Sequence, residues 1–241
     1  MRIAVISDVH GNRLALEAVL ADIERRGCDS TVNLGDHVAG PMEPQWTADI
    51  LMDLDIPTIK GNHERYLFDR PHGALGKVDA FVMSVIERRH LDWFRWLPST
   101  MTILDEVFMC HGTPTSDEEP WLDAWWEGRT TTVPSEADVV ARAEGHDYRL
   151  MLCGHTHLPR IVRLRDGRMI INPGSVGLQI NHGAPDARYA IIERTRAGEW
   201  SASLTAVPYD HEGAAAQAVK NGFPDWVEAL TTGWVGAKGL F

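Results

Sequence analysis

Five short clusters of polar residues supply oxygen and nitrogen donors along this chain. They are Asp8-Val9-His10, Gly35-Asp36, Gly61-Asn62-His63-Glu64, His111-Gly112 and Gly154-His155-Thr156-His157. Each has an ordinary explanation when taken alone. An Asp-x-His in a loop serves as a turn or a cap, Asn62 suits the N-cap of a helix, and the histidine-glycine pairs suit polar turns. Taken together they form a mixed set of carboxylate, amide and imidazole donors. Such a set suits Mn, Fe, Zn, Co or Ni and not calcium. No cysteine occupies these positions, which argues against a structural zinc site. A transition-metal site is expected.

Positioning such a set requires elements that end together. Residues 2–7 form a short apolar run read as a buried strand, which empties into Asp8. Leu14, Leu16, Val19, Leu20 and Ile23 then recur at helical spacing up to a stop at Gly27. Residues 31–34 read as a second strand broken by Gly35-Asp36, residues 46–52 as a helix, and Thr58-Ile59 as a further strand before Gly61. Residues 77–97 read as one or two helices. From about residue 100 the texture becomes β, with strands expected at 101–104, 107–110, 150–153, 160–164, 169–171, 188–192 and 200–206. Every donor cluster thus sits at the end of an apolar run, where open α/β sheets carry their ligand sites. The glycines beside the donors supply tight turns and close backbone approaches. Residues 1–241 read as one domain, with a helical tail from about residue 209.

Residues 114–145 form an acidic, tryptophan-rich insertion carrying Asp117, Glu118, Glu119, Trp121, Trp125, Trp126 and Glu127. Its tryptophans either anchor a surface helix to the core, the ordinary use of buried tryptophan, or face a substrate as a lid. Near the clusters, His37 reads as a neighbour that orients a ligand. Asn12, Arg13 and Arg65 read as helix-start and surface residues. His72, His90, His146, His182 and His211 show no ligand spacing and read as surface or structural histidines.

The formal net charge is -11, from 34 acidic and 23 basic residues. A surface this acidic repels polyanions, so non-specific nucleic-acid binding and anionic membranes are not expected partners. A small phosphorylated substrate is compatible, because bound cations reverse the field locally. Cys28, Cys110 and Cys153 form no CxxC pair and read as reduced thiols. No signal peptide and no apolar run of about 18 residues is present, so a soluble cytoplasmic protein is expected.

The ordered set of five clusters resembles the signature of calcineurin-like metallophosphoesterases, and the run Asn172-Pro173-Gly174-Ser175-Val176-Gly177 is similar to that following the last motif in small bacterial members. The resemblance implies a four-layer αββα sandwich with two stacked mixed β-sheets. It implies two divalent or trivalent metal ions, one held by Asp8, His10, Asp36 and His157, the other by Asp36, Asn62, His111 and His155. Asp36 would bridge them and His63 would protonate the leaving group. The reaction so implied is in-line attack of a metal-bridging hydroxide on a phosphate ester. The protein-phosphatase branch carries an arginine after its Gly-Asp motif, whereas here residues 35–41 hold none. That favours a phosphodiester or nucleotide substrate. A phosphomonoesterase, including a protein phosphatase, stands as the alternative, followed by a non-catalytic metal-binding scaffold.

Overall fold

The computed structural model describes residues 1–126, 130–180, 183–236 and 239–240. Glu127 and His182, together with the side chains of His72, Trp125 and Trp126, fall outside what is described. One mixed sheet has the order β11 (Trp200–Val207), β10 (Ala187–Arg194), β1 (Arg2–Ile6), β2 (Ser30–Asn33). Its strands β1 and β2 run parallel, and β10 is antiparallel to both of its neighbours. The other has the order β3 (Thr100–Ile103), β4 (Val107–Cys110), β7 (Leu150–Leu152), β9 (Met169–Asn172), β8 (Arg160–Arg163). Here β4, β7 and β9 are parallel, with antiparallel strands at both edges.

Side-chain alternation shows how the sheets stack. Ile3, Val5 and Val32 of the first sheet share one buried cluster with Val107, Met109, Leu150, Leu152, Met169 and Ile171 of the second. The intervening residues point outward. Ala4, Ile6 and Ile191 pack against Leu16, Val19 and Ile23 of α1 (Arg13–Arg26). Phe108, Met151 and Ile170 pack against Trp121 and Leu122, and against Val139 of α6 (Glu136–Ala141). The order is helix, sheet, sheet, helix, the expected four-layer sandwich. Because both faces of the central strands are covered, these strands read as continuous apolar runs and not as alternating ones.

The remaining helices are α2 (Pro44–Asp53), α3 (Asn62–Asp69), α4 (Lys77–Val85), α5 (Arg88–Trp96), α7 (His211–Lys220) and α8 (Val227–Thr232). The span 77–97 is therefore two helices, parted by an extended backbone at Ile86 and Glu87. Asn12 caps α1, its Oδ1 accepting the Ala15 N–H at 3.1 Å, and Gly27 ends that helix at φ 65°. Thr58-Ile59 does not form a strand. A single parallel bridge joins Thr58 to Asn33, and the chain then turns into α3 four residues after Thr58. The insertion contains an antiparallel hairpin, β5 (Ala124–Trp126) with β6 (Thr130–Thr132), which the sequence did not disclose. Trp121 is the anchoring kind of tryptophan, buried with its indole N–H donating to Val139 O at 3.0 Å. The three cysteines are free thiols. Among the described residues, no helix is long and apolar enough to cross a membrane.

The run after β9 closes over the exit of β1. Ser175 Oγ donates to Asp8 O at 2.7 Å, and the Val176 and Gly177 N–H groups donate to Ser7 O and Asp8 O at 2.9 and 3.0 Å. A Cβ on Gly177 would fall 1.8 Å from Val9 O, so only glycine fits there. Gly177→Ala is expected to cost about 1–3 kcal/mol through overpacking, seen as a lower thermal midpoint of about 2–4 °C per kcal/mol. An unchanged midpoint would show that this contact yields without strain.

Candidate metal centre

Two parallel pairs of strands, one in each sheet, deliver the donors to one edge of the sandwich. Asp8 and His10 follow β1, Asp36 follows β2, His111 follows β4, and His155 and His157 follow β7. Asn62 is the first residue of α3. The N-cap of that helix is Gly61 and not Asn62, which leaves the Asn62 side chain to turn inward. A Cβ on Gly61 would lie 2.2 Å from Asp36 Oδ1, so the turn into α3 passes directly against that carboxylate. Asp8, His10, Asp36, Asn62, His111 and His157 are buried, and His155 is partly so.

Hydrogen bonds at the rear of each imidazole decide what faces the centre. His10 Nδ1 lies 2.8 Å from Ala39 O, His111 Nδ1 2.7 Å from Leu34 O, and His157 Nδ1 2.7 Å from Leu178 O. A carbonyl oxygen only accepts, so each Nδ1 carries the proton and each Nε2 turns a lone pair inward. His10 Nε2 and His157 Nε2 then meet at 2.9 Å. His111 Nε2 sits 3.1 Å from Asn62 Oδ1 and 3.2 Å from Asp36 Oδ2. His155 Nδ1 approaches the same Asn62 oxygen at 3.0 Å. Asp8 Oδ1 is buried without a hydrogen-bond partner, 3.5 Å from His157 Nε2 and 3.9 Å from His111 Nε2. Acceptors converge on acceptors, an arrangement that only cations or added protons relieve.

The donors sort into two groups able to hold an ion, Asp8 with His10 and His157, and Asp36 with His111 and His155. The two are contiguous, since Asp36 Oδ2 is 3.9 Å from His10 Nε2 and 3.2 Å from His111 Nε2. The donor chemistry therefore fits a pair of transition-metal ions, in keeping with the carbonyl-anchored imidazoles usual at such sites.

Electrostatics follow the same plan. Burial and the neighbouring His157 press His10 down to about 3, and burial with His111 presses His155 down to about 4. Both rings are thus neutral and available as ligands at neutral pH. Burial would lift the Asp36 carboxyl, but His111 and His63 hold it well below the usual carboxylate range. Asp8 is likewise lowered, chiefly by His157 acting against burial. Burial opposes the His111 cation, yet Asp36 raises it to about 10, so without an ion a proton occupies that place. Binding a cation there must displace it.

Around the donors lies a positioning shell. Glu64 is fully buried and accepts three backbone N–H groups, from Asp36 and Gly61 at 2.9 Å and from His37 at 2.8 Å. It ties the Asp36 loop to the Asn62 turn. His37 points away from the cavity, with its ring against Trp93 and Phe94, as an orienting neighbour would. Thr156 donates to Asp123 Oδ2 at 2.9 Å and so pins the turn between His155 and His157. Arg13 and Arg65 are engaged elsewhere, with Glu17 and with Asp117 and Glu118. His90 is structural, buried between Asp49 and the Glu87 N–H.

His63 lines the cavity beside the donors, and its Nδ1 lies 3.0 Å from Asp79 Oδ1 on α4. Burial opposes its charge, but Asp36 and then Asp79 raise its pKa above the ordinary value. Asp79 is the partner of His63 that the sequence concealed. It lies 16 positions beyond His63 in the first turn of α4, where an acidic residue reads as a favourable helix start. The cavity, of about 270 Å³, is closed on its other sides by Leu158, Ile180 and Thr131 of β6. The insertion therefore reaches the site through its hairpin.

Comparison with known proteins agrees with this geometry. An uncharacterized protein of Methanocaldococcus jannaschii is 30% identical over 251 residues, spanning 93% of this chain and 95% of its own. The crystal structure of a metallophosphoesterase from Sphaerobacter thermophilus aligns with a TM-score of 0.78 at 27% identity, covering 97% of this chain and 100% of that one. A provisionally assigned diadenosine tetraphosphatase shares the fold at a TM-score of 0.52 and 20% identity, over 84% of this chain and 93% of its own. Residues 1–196 match the profile of the calcineurin-like phosphoesterase superfamily domain. The chain belongs to the calcineurin-like phosphoesterase superfamily.

Proposed function

We propose that this protein is a dinuclear metal-dependent phosphoesterase acting on a phosphodiester or nucleotide. The observation that carries the proposal is the convergence of imidazole nitrogens on buried oxygens, with His111 Nε2 3.1 Å from Asn62 Oδ1 and 3.2 Å from Asp36 Oδ2, His157 Nε2 3.5 Å from Asp8 Oδ1, and that Asp8 oxygen buried without a hydrogen-bond partner. One ion would be held by Asp8, His10, Asp36 and His157, the other by Asp36, Asn62, His111 and His155. Bound cations would polarise the phosphoryl oxygens and lower the pKa of a water nucleophile.

The chain's own residues supply the remainder. Asp8 and Asp36 are the only anions among the seven donors, so two divalent ions leave the site positive and attractive to phosphate. Asn62 adds an oxygen without adding charge. His63 gives a proton to the departing oxygen through Nε2, because Asp79 engages Nδ1 and favours the charged ring. Leu158 and Ile180 border the cavity and limit water. No lysine or arginine lines this cavity among the described residues, which suits a singly charged diester better than a monoester dianion.

Exhaustive chelation is expected to abolish hydrolysis of bis-p-nitrophenyl phosphate, and added Mn²⁺ to restore it; full activity in excess chelator would refute the metal requirement. His63→Ala should lower kcat by about 10²–10⁴-fold while metal content, read by elemental analysis, stays the same. Asp79→Asn should lower kcat by a smaller factor with KM unmoved, since it acts through His63. Loss of metal in step with activity would reassign both residues as structural. Asp36→Asn is expected to release both ions together, and retention of two tightly held ions would contradict its bridging role.

A further inference from the structure

A second cavity, of about 330 Å³, opens on the other side of Asn62 and His63. These two residues are a shared wall, because they also line the cavity at the metal centre. The two sides differ in chemistry. Toward the centre the non-ligand lining is Leu158, Ile180, Thr131 and Thr156, whereas the far side holds Tyr66, Arg70, Gly76 and Val78 beside Asp79. Arg70 is the sole lysine or arginine lining either cavity among the described residues.

Arg70 is also placed for use. Its guanidinium carbon lies 3.3 Å from the centroid of the Tyr66 ring, its side chain is exposed, and no carboxylate lies within 4.0 Å of it among the described residues. Arg65, five residues earlier, is by contrast saturated by Asp117 and Glu118. The Tyr66 hydroxyl donates to Glu118 at 2.7 Å, which fixes the ring as a platform, and the ring meets His63 edge-on at 5.4 Å. His63, Tyr66 and Arg70 thus follow one another along α3. Arg70 is the C-cap of α3, seven positions beyond His63, so its backbone lies about 10 Å further along the helix axis. In a chain of net charge -11, an arginine stacked but not ion-paired presents its full fork of donors to an incoming anion.

We propose that Arg70, stacked on Tyr66, is a specificity-determining subsite for an anionic group on the leaving side of the substrate. The preferred substrates then carry at least one further phosphate beyond the one cleaved, as nucleoside polyphosphates and polyphosphate-linked dinucleotides do. This rests on the phosphoesterase reading above. A substrate with two arms lays its uncharged arm against Leu158 and Ile180 and its charged arm across His63 toward Arg70. A proton passing from His63 to the departing oxygen is then delivered on the side where the charged arm leaves.

The test compares Arg70→Gln with wild type in the metal-loaded protein, using diadenosine tetraphosphate and bis-p-nitrophenyl phosphate as probes. Arg70→Gln is expected to lower kcat/KM at least tenfold more on the polyphosphate probe than on the simple diester, mainly through KM, and Arg70→Lys to recover part of that ratio. A loss of the same factor on both probes, or none on either, overturns the subsite while leaving the phosphoesterase reading intact. Calorimetric titration with ADP supplies the independent readout. If wild type cleaves neither probe but binds ADP at least fivefold more tightly than Arg70→Gln does, the subsite stands and the enzymatic reading falls. If it cleaves neither and binds ADP no better than the variant, both fall.

Discussion

The Nδ1–H···O=C bonds from His10, His111 and His157 to Ala39, Leu34 and Leu178 constrain the rest of the centre, because they leave each ring no choice of which nitrogen faces inward. An imidazole whose rear nitrogen is held by a carbonyl presents its other nitrogen in front, and three such rings beside two carboxylates and an amide oxygen make a site that takes up protons or cations. The surrounding protein is built to hold that cluster together. The strands behind the donors are covered on both faces, and the three residues whose carbonyls lock the rings, Leu34, Ala39 and Leu178, are themselves buried in the loops beyond them.

Strain is visible in the backbone of the same cluster. Asp8, His10, Asp36, His155 and His157 all adopt left-handed conformations, with φ of 55°, 49°, 54°, 68° and 59°. For residues with a Cβ this costs on the order of 1–2 kcal/mol each, and it persists only where neighbours leave no alternative. Here the strand-end loops fasten one another. Asp8 N–H donates to Gly35 O and His10 N–H to Asp36 O, both at 3.0 Å, and Gly154 N–H donates to His111 O at 2.7 Å. Each left-handed turn reverses the chain sharply enough to throw a side chain back over the edge of its own sheet. Donors from two different sheets meet in this way at one point.

Much of this was legible in the sequence, for a physical reason. Polar residues placed directly after apolar runs announce both the strand and its end, so the first two strands, the helix up to Gly27 and the polar clusters at the strand ends could be read without coordinates. What escaped was whatever depends on residues far apart in the chain with no local mark. Asp79 sits in a helix start that needs no further explanation, and its partnership with His63 exists only because α4 folds back against α3. Thr58-Ile59 has the composition of a strand but only a single bridge to Asn33. The β5–β6 hairpin lies in a stretch whose tryptophans suggested a helix anchor or a lid, and Trp121 is such an anchor, hydrogen-bonded to Val139 O. Glu64 was visible as a motif letter, while its work, three backbone hydrogen bonds across two loops, was not.

Glu64 also has a bearing on how such a centre changes over generations. One carboxylate fastens the loop that carries Asp36 to the turn that carries Asn62 and His63, so the spacing among these three residues is tied to one side chain, apart from the histidines that follow β4 and β7. A drift in either sheet alters the gap between the two halves without disturbing the spacing inside this one. The fold therefore behaves as a clamp with one rigid jaw, and the span between its jaws is open to adjustment by remote substitutions in either sheet that leave every donor in place.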